Sequence, residues 1–332
     1  MDLKKIYKNK SILITGGTGS FGKKFVEEIL KYHKYIKRLV VFSRDELKQY
    51  ELSKVYPNSN FTKLRFFIGD IRDKERLSRA LKDINIVVHA AALKQVPTAE
   101  YNPFECIKTN IIGAQNLIEA SLDNGIEKLI ALSTDKAVSP INLYGATKLC
   151  ADKLFVAANN IKGKNNIKFS VVRYGNVTSS RGSVIPFFKT LKNEKYLPVT
   201  HKDMTRFNIS LNEAFELVNY GIQNMQGGEI FVPKLKSYSV VSLAKAMYPN
   251  KKIKFIGIRD GEKIHEDLIS YSESLKTFEN KKYYLILNKK DSKNIKYYKK
   301  KNFIKIKKQF VYSSDSNKFL NISQLKKVVR DF

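Results

Sequence analysis

Apolar residues fall into short continuous runs, each followed by a longer stretch in which they recur every three or four positions. Ile12-Leu13-Ile14 precedes such a stretch over 23–32, and Leu39-Val40-Val41-Phe42 precedes 46–52. Arg65-Phe66-Phe67-Ile68 precedes 74–81, Ile86-Val87-Val88-His89 precedes 103–124, and Lys128-Leu129-Ile130-Ala131-Leu132 precedes 143–159; a sixth run covers 169–173. Runs that are apolar on successive residues predict strands buried on both faces, hence a parallel sheet covered by helices. Repeated strand–helix units wind right-handed into an α/β, doubly wound parallel sheet. Ligands of such sheets lie beyond the carboxyl ends of the strands, so the residues just after each run are expected to carry the chemistry. Past about 178 the alternation stops. The expected division is 1–177 as the dinucleotide-binding domain, with 206–232 returning to it as a helix (211–224) and a strand (227–232). Residues 178–205 and 233–332 are expected to form a smaller C-terminal substrate-binding lobe.

After the first run comes Thr15-Gly16-Gly17-Thr18-Gly19-Ser20-Phe21-Gly22. Gly16, Gly19 and Gly22 suit a tight turn, close backbone approach to a pyrophosphate and close helix packing, while the helix beginning near Ser20 and Phe21 aims free N–H groups at phosphate. Between a strand and a helix, this is the dinucleotide-binding turn of a Rossmann fold. After the second run stand Ser43, Arg44 and Asp45, with Lys48 one helical turn on. A cationic fork where an acid would hold a ribose diol favours a 2′-phosphate, so NADP is the expected cofactor. Asp70 and Ile71 after the third run are expected near the adenine, and Ala90 and Ala91 after the fourth offer small side chains against the cofactor.

The fifth run ends in Ser133-Thr134-Asp135-Lys136, and Tyr144 and Lys148 follow as an i, i+4 pair on one helix face. A tyrosine titrates near 10, but a nearby ammonium and a cationic nicotinamide stabilise its phenolate, letting Tyr144 take a hydroxyl proton as hydride leaves the same carbon. Thr134, Tyr144 and Lys148 suffice for that oxidation. Asp135 and Lys136 are two further groups of the kind an elimination of water requires.

The blocks TGGTGSFG, AALKQVPTAEYNPFECIKTN, STDKA, YGATK and RYGNVTSSRGSVIPFF resemble the extended short-chain dehydrogenase/reductase superfamily. Within it they are similar to the inverting UDP-N-acetylglucosamine 4,6-dehydratases of pseudaminic acid biosynthesis. The likeness runs from about 10 to 270 and includes Gly257-Ile258-Arg259-Asp260-Gly261-Glu262-Lys263-Ile264-His265-Glu266. It implies C4 oxidation of the sugar, water loss across C5 and C6 with Lys136 as C5 base and Asp135 as acid, and return of hydride to C6; exchanged roles for the two stay open. It further implies sugar or nicotinamide-ribose contacts from Lys94 and Asn110, a substrate contact from Asn176 with Val177 beside the cofactor, and a cover over the sugar from 184–203. Arg181, Arg206 and Arg259 suit the pyrophosphate, which arginine meets in bidentate fashion, and Glu262 a ribose or uracil group. A retaining dehydratase and a UDP-sugar 4-epimerase are the alternatives.

The 332 residues are 43% hydrophobic and 28% charged, a globular balance too long for one small module. Lys and Arg number 61 against 31 Asp and Glu, a formal charge of +30 that suits either an anionic partner or a solvated lysine coat. Lys- and Tyr-rich residues 281–310 make a nucleic-acid-binding protein the rival from another class, while 303–312 reads as an edge strand protected by lysines. No nucleic-acid partner is expected, the substrate is a small molecule, and a homo-oligomer is anticipated. Two cysteines and four histidines give neither a disulfide framework nor a zinc site, and no metal is assigned. The apolar stretch ending at Gly16 is too short for a signal segment, and no run reaches the ~18 residues of a membrane span; a cytoplasmic location is expected.

Overall fold

The computed structural model describes residues 2–178, 180, 182–287 and 292–330. The six apolar runs form β1 (Ser11–Thr15), β2 (Arg38–Ser43), β3 (Leu64–Ile68), β4 (Ile86–His89), β5 (Lys128–Thr134) and β6 (Lys168–Tyr174). All neighbours among them are parallel, in the order 3-2-1-4-5-6. The order reverses at β1 and β4, which opens a crevice at their carboxyl ends where a dinucleotide binds. The helix Leu211–Asn224 and the strand Glu229–Pro233, parallel to β6, return to this sheet as the sequence predicts.

The sheet then continues beyond the expected boundary. Tyr283–Leu287 pairs antiparallel with Glu229–Pro233, Thr277–Glu279 pairs with Tyr283–Leu287, and Ile304–Lys305 closes the edge of ten strands. The assignment of 233–332 to the substrate lobe therefore fails for this segment. Phe278, Leu285 and Ile286 pack into the main core, and antiparallel pairing needs only a short reversal, which carries no strand–helix signal. The lysine-flanked edge strand at 303–312 is real but only two residues long.

The pattern over 103–124 resolves into Pro103–Ile107, a π-helical turn Lys108–Ile112 and Gly113–Asp123. The opening helix Leu3–Tyr7, unforeseen in the lysine-rich start, is anchored by the Tyr7 hydroxyl donating to Asn219 Oδ1 at 2.6 Å. Among the described residues no helix is long and apolar enough to cross a membrane.

A buried ion network braces the helix Leu143–Ile161. Arg173 of β6, fully enclosed, pairs with Asp152 on that helix at 3.1 Å and with Glu273 at 3.0 Å. Ser133 donates to the same Asp152 oxygen at 2.8 Å. Removing one partner of such a pair costs about 3–5 kcal/mol, so the end of β5 and the helix beside it form one rigid mount.

Candidate active site

The carboxyl ends of the strands open into a cleft of about 820 Å³. Its floor is the glycine-rich turn. Gly16 adopts φ +67°, and a Cβ there would strike the Ala90–Ala91 backbone, so only glycine lets β1 and β4 close at the crevice. No side chain caps the helix Ser20–Leu30 at Gly19, leaving its N-terminal turn facing the cleft with Ser20, Phe21 and Gly22 in the lining. A cradle that glycine alone can form, ending in an uncapped helix N-terminus, fits a dinucleotide pyrophosphate.

Along the adenosine side the residues separate. The Ser43 hydroxyl is shared with Thr18 at 2.8 Å. Asp45 caps the helix Glu46–Val55 through Lys48 N and pairs with the Lys48 ammonium, which puts its carboxylate to structural use. Lys48 lines the cleft, whereas Arg44, 57% exposed and 3.8 Å from Asp70, is not in the lining. Asp70 is engaged by Arg72 at 2.8 and 3.0 Å and does not line the cleft; Ile71 is buried against Gly113. Neither residue, both expected near the adenine, is in the cleft lining. Ala90 lines the cleft, whereas Ala91 lies behind it, its N–H donating to Thr15 Oγ1 at 3.3 Å.

At the far end β5 runs into the turn Asp135–Ala137, which projects Asp135 and Lys136 inward. Asn142 caps the following helix through Gly145 N at 2.7 Å. A Cβ on Gly145 would collide with the Lys136 carbonyl, so glycine allows the Tyr144 helix to press on that turn. Thr134, Asp135, Lys136, Tyr144 and Lys148 thus share one wall. The Thr134 hydroxyl donates to Asp135 Oδ1 at 2.9 Å.

Two expectations about charge are corrected here. Lys148 donates to the Leu132 carbonyl at 2.7 Å, and burial lowers its pKa. Burial pushes Tyr144 up to about 12, and the groups that pull it back are the Lys136 charge and a hydrogen bond with Thr134, not Lys148. The resemblance implies Lys136 as the C5 base, a role that needs a neutral amine. Burial does oppose its charge, but Asp135 at 3.2 Å and Glu266 at 2.8 Å outweigh it and hold the ammonium protonated. Asp135 is raised, by burial first and also by the Glu266 charge, and Glu266 is lowered because Lys136 and Arg206 overcome its burial.

Asn110 does not reach the cleft. The π-helical turn directs its amide onto the Leu93 N–H and carbonyl, both at 2.9 Å, and onto Thr147 Oγ1 at 3.0 Å. It clamps the loop carrying Lys94, which does line the cleft. Asn176 and Arg206 meet through a small sheet in which Thr205–Ile209 pairs with Asn176–Val177 and with Lys236–Ser239. Arg206 donates to the carbonyls of Thr205 and Ile264 and lies 3.5 Å from Glu262. Val177, Arg259 and Glu262 complete the expected set; Arg181 lies outside the described residues. Of the segment 184–203, expected to cover the sugar, Val184, Phe187, Phe188, Pro198, Val199 and Thr200 line the cleft.

Sequence reasoning missed Glu266, which is 1% exposed and lines the cleft. It ended a motif already singled out, but 130 residues separate it from Lys136 and no spacing rule links the two. Asp135 Oδ2, Asn176 Oδ1, Ser183 Oγ, Glu262 Oε2 and Glu266 Oε2 are buried without a protein partner, and all five residues border this cleft. Buried polar atoms of this kind mark where a polar ligand binds.

Strand order and glycine turn define a dinucleotide-binding protein of the extended short-chain dehydrogenase/reductase type. The chain belongs to the polysaccharide biosynthesis protein family, whose model matches residues 12–288. It is 53% identical, over 94% of both chains, to a UDP-N-acetylglucosamine 4,6-dehydratase (inverting) of Campylobacter jejuni subsp. jejuni serotype O:2. It is 41% identical to a UDP-glucose 4-epimerase of Rickettsia bellii, over 98% of this chain and 96% of the relative. The solved structure of Pen from Bacillus thuringiensis superposes with a TM-score of 0.89 at 36% identity, covering 98% of each chain.

Proposed function

We propose that the protein is an NADP-dependent UDP-N-acetylglucosamine 4,6-dehydratase that inverts C5, a hydro-lyase making a 4-keto-6-deoxy sugar nucleotide in the cytoplasm for pseudaminic acid or a related surface glycan. The observation that carries this reading is the pair of buried Asp135 and partly buried Lys136 beside Tyr144. An epimerase needs a base for the C4 hydroxyl and nothing that removes water. Here an acid and an amine are lodged at the reacting end of the cleft. The 53% identical relative carries the same activity in its name.

When bound, the nicotinamide would accept hydride from C4, return it to C6 and supply a positive charge that favours phenolate. Gly16, Gly19, Ser20, Phe21 and Gly22 would hold its pyrophosphate, and Lys148 and Val177 its nicotinamide end. Tyr144 takes the C4 hydroxyl proton, and the resulting ketone acidifies C5–H. Lys136, once it has given up its own proton, takes that from C5. Asp135 protonates the departing C6 hydroxyl, which leaves as water. A proton then returns to C5 on the opposite face. Arg206 and Arg259 meet the substrate pyrophosphate, and Asn176 and Glu262 offer their unpartnered oxygens to sugar or nucleoside hydroxyls. A homo-oligomer is part of the same reading.

Proton NMR of UDP-N-acetylglucosamine incubated with the protein tests the proposal. A new methyl doublet is expected, with C5 coupling constants of the inverted isomer. Formation of the C4 epimer alone would contradict it. Cofactor choice has its own test. Arg44 and Lys48 are the cations at the adenosine end, and Asp45 is held by its helix. Arg44→Asp should weaken NADP binding relative to NAD by at least about tenfold, the loss of one charge-assisted phosphate contact. Equal weakening of both, read by fluorescence titration, would mean another group reads the 2′-phosphate.

A further inference from the structure

A base must be neutral, yet the resting site keeps Lys136 charged, so its proton needs a destination. We propose that Glu266 is that destination: its carboxylate takes the ammonium proton of Lys136, leaving an amine free to attack C5–H while Asp135 keeps the proton meant for the C6 hydroxyl. The inference rests on the dehydratase reading and adds a residue to it.

Geometry supports it. Glu266 Oε1 lies 2.8 Å from Lys136 Nζ, closer than Asp135 Oδ1 at 3.2 Å. The second oxygen, Oε2, is buried and unpartnered. The mount is rigid. Glu266 N–H donates to Ser314 Oγ at 2.9 Å, Ser314 N–H donates back to the Glu266 carbonyl at 2.9 Å, and the two serine and threonine hydroxyls of Ser314 and Thr205 meet at 2.7 Å. Asp267–Ile269 and Tyr312–Ser313 pair directly alongside, fixing the backbone next to Glu266. Arg206 and Lys263 also act electrostatically on Glu266 and favour its ionised form at rest.

The protons balance. Lys136 ammonium and Glu266 carboxylate become amine and carboxylic acid. The amine then takes the C5 proton as the C6–O bond breaks, with the Asp135 proton completing water. Solvent supplies the proton that returns to C5 and takes the C4 hydroxyl proton from Tyr144; Glu266 is left protonated and Asp135 ionised, so one proton passes between them before the next turnover. Glu266 acts through Lys136 and is a positioning residue, not a catalytic one.

Glu266→Gln keeps size and hydrogen bonding but cannot accept the proton. Its kcat should fall at least about a hundredfold, the scale of a lost acid–base group, with KM for UDP-N-acetylglucosamine and cofactor affinity little changed. The kinetic isotope effect from deuterium at C5 should rise, because C5–H cleavage becomes slower than the other steps. Glu266→Asp should recover part of kcat. Near-normal kcat in Glu266→Gln, or a loss of kcat with an unchanged C5 isotope effect, would overturn the proposal. Should Glu266→Gln fail to fold, Glu266→Asp decides by the same readings, since a shortened carboxylate must also raise the C5 isotope effect. Wild-type protein run in parallel separates the two failures: no methyl product from it sinks the dehydratase reading itself, whereas normal product from both proteins sinks only Glu266.

Discussion

Lys136→Met should stop methyl formation from UDP-N-acetylglucosamine, with a loss of about 10²–10⁴-fold in kcat, while NADP still binds. Methionine fills the volume of the lysine stem but provides neither amine nor charge. The Glu266 carboxylate then sits buried without its cation, which favours its protonated form beside the Asp135 acid. The cofactor turn, built from β1 and the helix Ser20–Leu30, lies outside this triad and should be undisturbed. Hydrogen at C4 should still exchange with the cofactor, though more slowly, because Thr134, Tyr144 and Lys148 are intact while the Lys136 charge that pulls Tyr144 down is gone. The variant should therefore separate C4 oxidation from elimination. Equal loss of C4 exchange and of methyl product would remove Lys136 from the elimination step.

Tyr144→Phe should abolish both steps. The phenol is the acceptor for the C4 hydroxyl proton, and without the ketone C5–H is no longer acidic, so nothing downstream can proceed. A drop of at least about 10³-fold in product formation is expected, with substrate affinity within a few-fold, since removing one hydroxyl leaves the apolar body of the ring in place. Residual C4 exchange at the wild-type rate would mean that another group removes that proton.

The parallel sheet was legible because β1, β2, β4, β5 and β6 are apolar on successive residues, the direct consequence of burial on two faces, while the edge strand β3 is apolar but mostly not buried. The Gly16 turn and the Tyr144–Lys148 pair were legible for a similar reason: each is local, a few residues whose spacing encodes a turn or a helix face. What the sequence hid is long-range or electrostatic. Strands 277–279 and 283–287 join the main sheet by antiparallel pairing, which leaves no periodic trace of its partner. Asn110 sits near the cleft in sequence logic, but a π-helical turn rotates it onto Leu93. Ser43 and Asp45 are expected at the cofactor, and no local pattern shows that Thr18 shares the Ser43 hydroxyl or that Asp45 caps the helix it precedes. The protonation of Lys136 could not be read either, because Glu266, the residue that holds it, approaches from the other end of the chain.

Part of the +30 formal charge lines the cleft, where Lys23, Lys48, Lys94, Lys136, Lys148, Arg206 and Arg259 outnumber Asp135, Asp260, Glu262 and Glu266. Lys136 and Arg206 are paired there with Glu266 and Glu262. The remaining excess suits an anionic ligand.

The account stands on a ketone formed transiently at C4, and label tracing tests it directly. UDP-N-acetylglucosamine carrying deuterium at C4, turned over in ordinary water, should give a product whose C4 carbonyl has lost the label and whose C6 methyl has gained it, while C5 takes its hydrogen from solvent. A methyl group free of deuterium, or a C4 that never parts with its label, would contradict it.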